Sequence, residues 1–177
     1  MALVSGKLLL GALAITLAAR LSFPLPGTPV PQTAQTLAVL LVGVFLGPTL
    51  GVLSVVLYLL AGLIGLPVFA DGASGAAKLT GPTAGFLFGF VLAAWLAGRW
   101  ARLEWARLER ARSLAFALLG MVIAHCLLLF VGWLWLSRSL GFERAFSLGV
   151  APFWVGALIK SVAAAVVLVG VTRREAA

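Results

Sequence analysis

Charge is what this sequence has least of. Asp, Glu, Lys and Arg make up 10% of its 177 residues, and only five residues are acids. An ordinary soluble domain carries roughly a quarter of its residues as charges, so a water-exposed globule is excluded. There is one cysteine, Cys126, set inside an apolar run. That excludes an internal disulfide and a thiolate metal cluster. What the chain has in excess is apolar residues, at 63%. A bilayer crossing takes about 20 of them, so six crossings would use about 120 positions. The remainder is too short for a catalytic or nucleotide-binding domain. No enzyme activity, cofactor or metal site is therefore expected, and function falls to the bundle, its short loops or partner chains.

Thirteen Lys and Arg give a formal charge of +8, which in a soluble protein would suggest a nucleic-acid partner. Their positions point to a lipid bilayer instead. Arg99, Arg102, Arg107, Arg110 and Arg112 share one connector, and Lys7, Arg173 and Arg174 lie near the termini, all flanking apolar spans. Clusters of this kind mark the cytoplasmic side. Residues 1–19 have the outline of a secretory leader, with Lys7, an apolar stretch and small residues near the end. Arg20 follows directly, and a polytopic chain needs no cleaved leader, so these residues are read as the first span.

The pattern predicts an all-α, polytopic membrane protein, a single six-helix domain over residues 1–177. Its spans lie at about Leu3–Leu21, Thr36–Leu46, Leu50–Ile64, Pro82–Trp100, Leu114–Leu136 and Phe153–Thr172. Pro24, Pro26, Pro29 and Pro31 forbid helix after the first span. Gly47-Pro48 breaks the second apolar run from the third, giving two tightly joined spans. The Gly-rich stretch Gly65–Gly81 reads as a loop, as does the segment carrying Arg138, Glu143 and Arg144. Six spans put both termini on the side of the arginine connector, in the cytoplasm. The three remaining long connectors then share the outer side. They hold apolar residues such as Val68 and Phe69, and irregular backbone at membrane depth must be buried in protein or line a cavity. They are expected to fold over the outer half of the bundle and shape a pocket.

Lys160 is the sharpest candidate for chemistry, a cation inside span six with no acid within four positions. Counted from Pro152 it lies about 12 Å along the helix, and an unpaired intramembrane Lys is costly. Gly156, Ala157, Ala163 and Ala164 form a small-residue face around it. The expected role is to bind an anionic group; the alternatives are snorkelling or pairing with Asp71. Thr33, Gln35 and Thr36 cluster at the entry to span two and offer neutral donors and acceptors, and Tyr58 adds a hydroxyl from span three. Gly72–Lys78 fails as a phosphate loop, because Ala77 and Leu79 stand where Gly and Ser or Thr are required. His125 reads as a buried neutral histidine in preference to a relay or ligand. Trp95, Trp100 and Trp105, with Arg99 and Arg102, read as an interfacial belt. On span one, Ala14 and Ala18, with Gly11 on the neighbouring face, permit close helix approach, within the chain or to a partner.

Four segments together resemble the BioY family, the biotin-specific S component of energy-coupling factor (ECF) transporters. They are VPQTAQTLAVLLVGVFLGP (Val30 to Pro48), LYLLAGLIGLPVFADG (Leu57 to Gly72), LTGPTAGFLFGF (Leu79 to Phe90) and GVAPFWVGALIK (Gly149 to Lys160). Their order and spacing cover most of the chain. The resemblance implies a six-helix bundle that captures biotin with high affinity on its outer side and joins a transmembrane coupling protein and two ATP-binding subunits. It favours Gly11, Ala14 and Ala18 as the partner-binding face. Lys160 matches the family's lysine, and the expected ligand set is completed by Thr33, Gln35, Thr36, Tyr58, Asp71 and Lys78, with Phe69, Phe86, Phe153 and Trp154 as apolar walls. The chain departs from the family where Ala157 replaces an acid, where no Asn precedes the Gly-Pro-Thr motif, and at Ala84 and Phe86. These changes remove expected partners of the biotin ureido ring. The alternative class, a stand-alone proton-coupled carrier of a small organic anion using His125 and Lys160, lacks any intramembrane carboxylate.

Overall fold

The structure is a computed structural model that describes residues 2–103 and 110–175. Arg107 of the predicted cytoplasmic cluster and Trp105 of the predicted belt lie outside the described residues, as do the side chains of Arg110, Arg173 and Arg174. The element order is α1 (Ala2–Arg20), β1 (Ser22–Phe23), β2 (Gln32–Thr33), α2 (Gln35–Leu63), a 3₁₀ turn (Ala70–Gly72), α3 (Ala76–Thr80), α4 (Ala84–Trp100), α5 (Arg110–Leu140), α6 (Phe142–Gly149) and α7 (Trp154–Glu175). Among the described residues, four helices are long and apolar enough to cross a membrane: α1, α2, α5 and α7. The shorter α4 is apolar apart from Arg99 in its last turn.

The break expected at Gly47-Pro48 divides α2 into two arms. Gly47 takes φ +85°, a left-handed conformation inside an otherwise helical stretch, which glycine adopts without a Cβ penalty. The arms fold back on each other. Gln35 Nε2 donates to Tyr58 Oη at 2.6 Å across 23 positions, whereas a straight helix would hold them about 34 Å apart. A Cβ on Gly51 would stand 3.0 Å from Gly43 Cα. α4 then crosses the tip of this hairpin, so that a Cβ on Gly98 would stand 2.6 Å from the Gly47 carbonyl carbon. Such small-residue contacts bring helix backbones together where lipid removes the hydrophobic drive for association.

Two connectors carry more structure than the sequence reading expected. The Gly65–Gly81 loop contains the 3₁₀ turn and α3, and the Arg138–Val150 loop contains α6. In α6 the inward positions are Ala145 and Gly149 and the outward ones include Phe142 and Phe146. That spacing is amphipathic but too short to read as a span. The proline segment is free of helix, as expected, and its ends pair as an antiparallel ladder, Ser22 with Thr33 and Phe23 with Gln32. The interior mixes small residues, including Ala93, Ala94, Ala97, Ala124 and Ala164, with large ones such as Leu40, Met121 and Leu168, while Leu10, Leu17, Ile64, Phe130 and Ile159 face outward. Large apolar side chains on the outer surface suit a lipid solvent.

Candidate ligand cavity

One end of the bundle is capped by the three long connectors, each pinned by named bonds. Arg20, at the end of α1, donates from Nη2 to the Pro67 carbonyl at 2.6 Å. Phe69 turns inward beneath it, 2% exposed, where its ring packs edge-on to Tyr58 at 5.4 Å between centroids and lies against Gly62. The Gly75 N–H closes the segment onto the Gly62 carbonyl at 2.7 Å. Thr28 Oγ1 donates to the Leu148 carbonyl at 2.6 Å and ties the proline segment to α6. Trp135 Nε1 of α5 donates to the Gly81 carbonyl at 2.9 Å and holds the end of the Gly65–Gly81 connector.

Beneath this cap is a cavity of about 220 Å³ between the proline segment, α2, α4, α5 and α7. Its polar wall centres on Lys160, whose half-buried ammonium donates to the Thr33 carbonyl at 2.5 Å and to Thr36 Oγ1 at 3.2 Å. Both partners are neutral oxygens, so the ammonium's charge is solvated by dipoles and not cancelled by them. Gln35, 3% exposed, is oriented by its bond to Tyr58, and the Gln32 amide lies against Gly156 of α7. Asp71 and Lys78 stand exposed at the rim, Asp71 with φ +58°. Phe86, Phe90 and Phe153 form apolar wall.

Of the eleven residues expected to meet a ligand, nine line this cavity: Thr33, Gln35, Thr36, Phe69, Asp71, Lys78, Phe86, Phe153 and Lys160. Tyr58 is fully buried behind Gln35 and acts through it. Trp154 is a correction, being 59% exposed on the outer surface. Phe153 and Trp154 are neighbours at the start of α7, where successive residues diverge by about 100°, so one facing inward turns the other out. Gly11 is also inward, buried with Ile15 and Ala19 against α2, where a Cβ would meet Ser54. Ala14 is exposed and Ala18 partly so. The sequence reading left out Thr28, Gln32, Thr83, Phe90 and His125, which also line the cavity. For Gln32 a signal existed in its place among Thr33, Gln35 and Thr36; for His125 there was none beyond its being the chain's single histidine.

Among the described residues, a helical membrane bundle with a capped, apolar-walled cavity that holds the half-buried cation of Lys160 has the form of a small-molecule-binding membrane protein. The chain matches the BioY family over residues 5–177 and belongs to it. It is 38% identical over 161 residues to the biotin transporter BioY of Thermotoga maritima, covering 91% of this chain and 90% of that one. It is 36% identical over 155 residues to the biotin transporter BioY2 of Lactococcus lactis subsp. cremoris, covering 86% and 81%. A solved structure, the S-component for biotin from an ECF-type ABC transporter, superposes with a TM-score of 0.81 at 25% identity, covering 95% of this chain and 89% of that one. The chain is thus a multi-pass membrane transport protein and not an enzyme.

Proposed function

We infer that this chain captures biotin and serves as the substrate-binding S component of an ECF transporter. The observation that carries the reading is the capped cavity with Lys160 held by neutral oxygens, in a fold that superposes over most of its length on a biotin S-component. Biotin has a carboxylate at one end and a fused, uncharged ureido ring at the other. Lys160 would receive the carboxylate, since an incoming anion offsets the cost of a cation in low-dielectric surroundings. Phe69, Phe86 and Phe153 would pack the rings and aliphatic tail, with Thr33, Gln35, Thr36, Asp71 and Lys78 supplying oriented polar contacts and Tyr58 fixing Gln35.

Counting the two arms of α2 and the shorter α4 as crossings gives six spans. The cavity then faces outward, and both termini face the cytoplasm with the arginine connector. In this orientation the exposed side of α1, with Ala14 and Ala18, would meet a transmembrane coupling protein, and two ATP-binding subunits would drive movement.

Equilibrium binding of labelled biotin to the purified chain in detergent tests the central claim. Saturable binding below the millimolar range is expected, and its absence in a folded preparation removes the reading. Orientation is checked with a membrane-impermeant thiol reagent on intact cells in a Cys126→Ser background. Gly27→Cys should be labelled and Thr49→Cys protected; the reverse pattern would place the cavity on the cytoplasmic side.

A further inference from the structure

Two neighbouring residues of β2 touch α7 one turn apart. The Thr33 carbonyl accepts from Lys160 Nζ, and the Gln32 side chain crosses to Gly156, where any Cβ would overlap its amide. The backbone of Gln32 is held by its ladder pairing with Phe23. The proline segment and α7 both wall the cavity, with Gln32, Ala157 and Lys160 in its lining. A side chain that runs from one to the other borders that space, and the glycine is what admits it.

Among the described residues, the amide at the end of this side chain makes no hydrogen bond. It is also open. The polar side-chain atoms buried without a partner are Ser22 Oγ, Ser54 Oγ and His125 Nε2, and the half-buried Gln32 amide is not among them. Its polar neighbours are committed elsewhere: Thr33 Oγ1 donates to Gln35 Oε1 at 3.3 Å, Gln35 Nε2 holds Tyr58, and Thr36 accepts from Lys160. From Gly156 to Ile159, α7 itself offers no polar side chain. Gln32 therefore brings hydrogen-bonding capacity to a stretch of wall that α7 leaves apolar.

A side-chain amide carries N–H donors beside a carbonyl acceptor, and the pair is present whichever end is nitrogen. A cyclic urea holds N–H and C=O side by side in the same way, so the two groups can exchange two hydrogen bonds: the Gln32 carbonyl accepts from the ring N–H while its NH₂ group donates to the ring carbonyl. A ligand that fills the cavity strips water from the amide, and a desolvated polar group without a partner is unfavourable. Rings that lack either half of the match are disfavoured for that reason.

We propose that the Gln32 amide, seated on Gly156, pairs with the N–H and C=O of the ureido ring of biotin and selects for that ring independently of the tail contact at Lys160. The assignment rests on the biotin reading above and makes Gln32 a specificity-determining contact.

Equilibrium binding to the full chain in detergent tests it with three ligands: biotin, its tail amide, and an analogue methylated on both ring nitrogens. The wild-type chain should bind the methylated analogue at least about tenfold more weakly than biotin. Gln32→Met, which keeps the length and removes both hydrogen-bonding groups, should weaken biotin and the tail amide equally, by about tenfold, and leave the methylated analogue nearly unchanged. Gly156→Ala, whose added methyl group takes the place of the amide, should reproduce the loss in the wild-type background and add little to Gln32→Ala. Equal wild-type affinity for biotin and the methylated analogue overturns the proposal without any variant, and so without regard to whether the variants fold. So does a Gln32→Met affinity for biotin within about twofold of wild type, or an equal loss for biotin and the methylated analogue, which would make the residue structural. Loss for biotin but not for its tail amide would move the contact to the carboxylate and overturn the ring assignment. Absence of biotin binding by the folded wild-type chain would instead remove the functional reading itself, and the ring assignment with it.

Discussion

At the Gly47 end of the bundle, backbone meets backbone. The hairpin tip of α2, the crossing of α4 at Gly98 and the bond from Arg102 Nη1 to the Gly98 carbonyl at 3.1 Å leave no space between the helices. At the opposite end the helices part, and closure is made by side-chain bonds between helices and loops: Arg20 to Pro67, Thr28 to Leu148, Trp135 to Gly81, with Phe69 as the inward plug. Both ends are built from the same apolar helices. They differ in that glycine lets two backbones touch, whereas a loop-borne aromatic covers a void without filling it. A backbone contact is fixed, while side-chain closures can open one bond at a time. The first end therefore suits a pivot and the second a ligand gate.

Several substitutions set the two ends against each other, and biotin affinity gives a common scale. The largest effect is expected at the closed end. Gly98→Leu forces a branched side chain into the hairpin tip, where overpacking typically costs about 1–3 kcal/mol and here meets backbone that cannot yield. Size-exclusion chromatography and thermal denaturation should report no folded, biotin-binding protein. A Gly98→Leu chain that folds and binds normally would show that the tip is not rigid.

Lys160→Ala comes next. It should weaken biotin by about 1.5–3 kcal/mol, the range for hydrogen bonds to charged groups, and leave the tail amide nearly unaffected. Titration of both ligands against both proteins forms a double-mutant cycle that separates this contact from damage to the fold. Equal loss for acid and amide would make Lys160 structural.

A smaller effect should follow from the gate. Phe69→Ala is expected to leave the fold intact and raise the dissociation rate, weakening biotin by about tenfold. Gly62→Val, which pushes the same ring from below, should reproduce it in stopped-flow measurements. If the two variants behave differently, Phe69 is not the plug.

The smallest effect on affinity belongs to the outer face of α1. Ala14→Trp should leave biotin binding unchanged in the isolated chain but reduce uptake when the coupling protein and ATP-binding subunits are present, because close helix approach is blocked. Normal uptake would move the docking face elsewhere. Gly11→Trp, on the inner face of the same helix, should instead destabilise the chain.

Much of this architecture was legible in the chain itself. Prolines after α1, the Gly47-Pro48 break and the unpaired cation at Lys160 each act through local covalent or electrostatic constraints, so each could be read without a partner in view. The loops were legible only in part, because α6 carries its apolar face over a length shared by short helices and surface turns. Trp154 was misplaced for a related reason. In a helix surrounded by lipid both the core face and the outer face are apolar, so alternation of apolar and polar residues cannot say which way a side chain points.

The sequence by itself therefore determined an all-α membrane bundle, the position of its hinge and the intramembrane cation at Lys160, since composition, Gly-Pro chemistry and intramembrane charge are properties of short segments. Only the tertiary structure decided that Gln35 reaches Tyr58 across 23 positions, that Gly11 faces in and Ala14 out, and that His125 borders the cavity. Each of these depends on which helices lie side by side. That choice is made by interlocking small and large side chains between distant segments, and no local pattern encodes it.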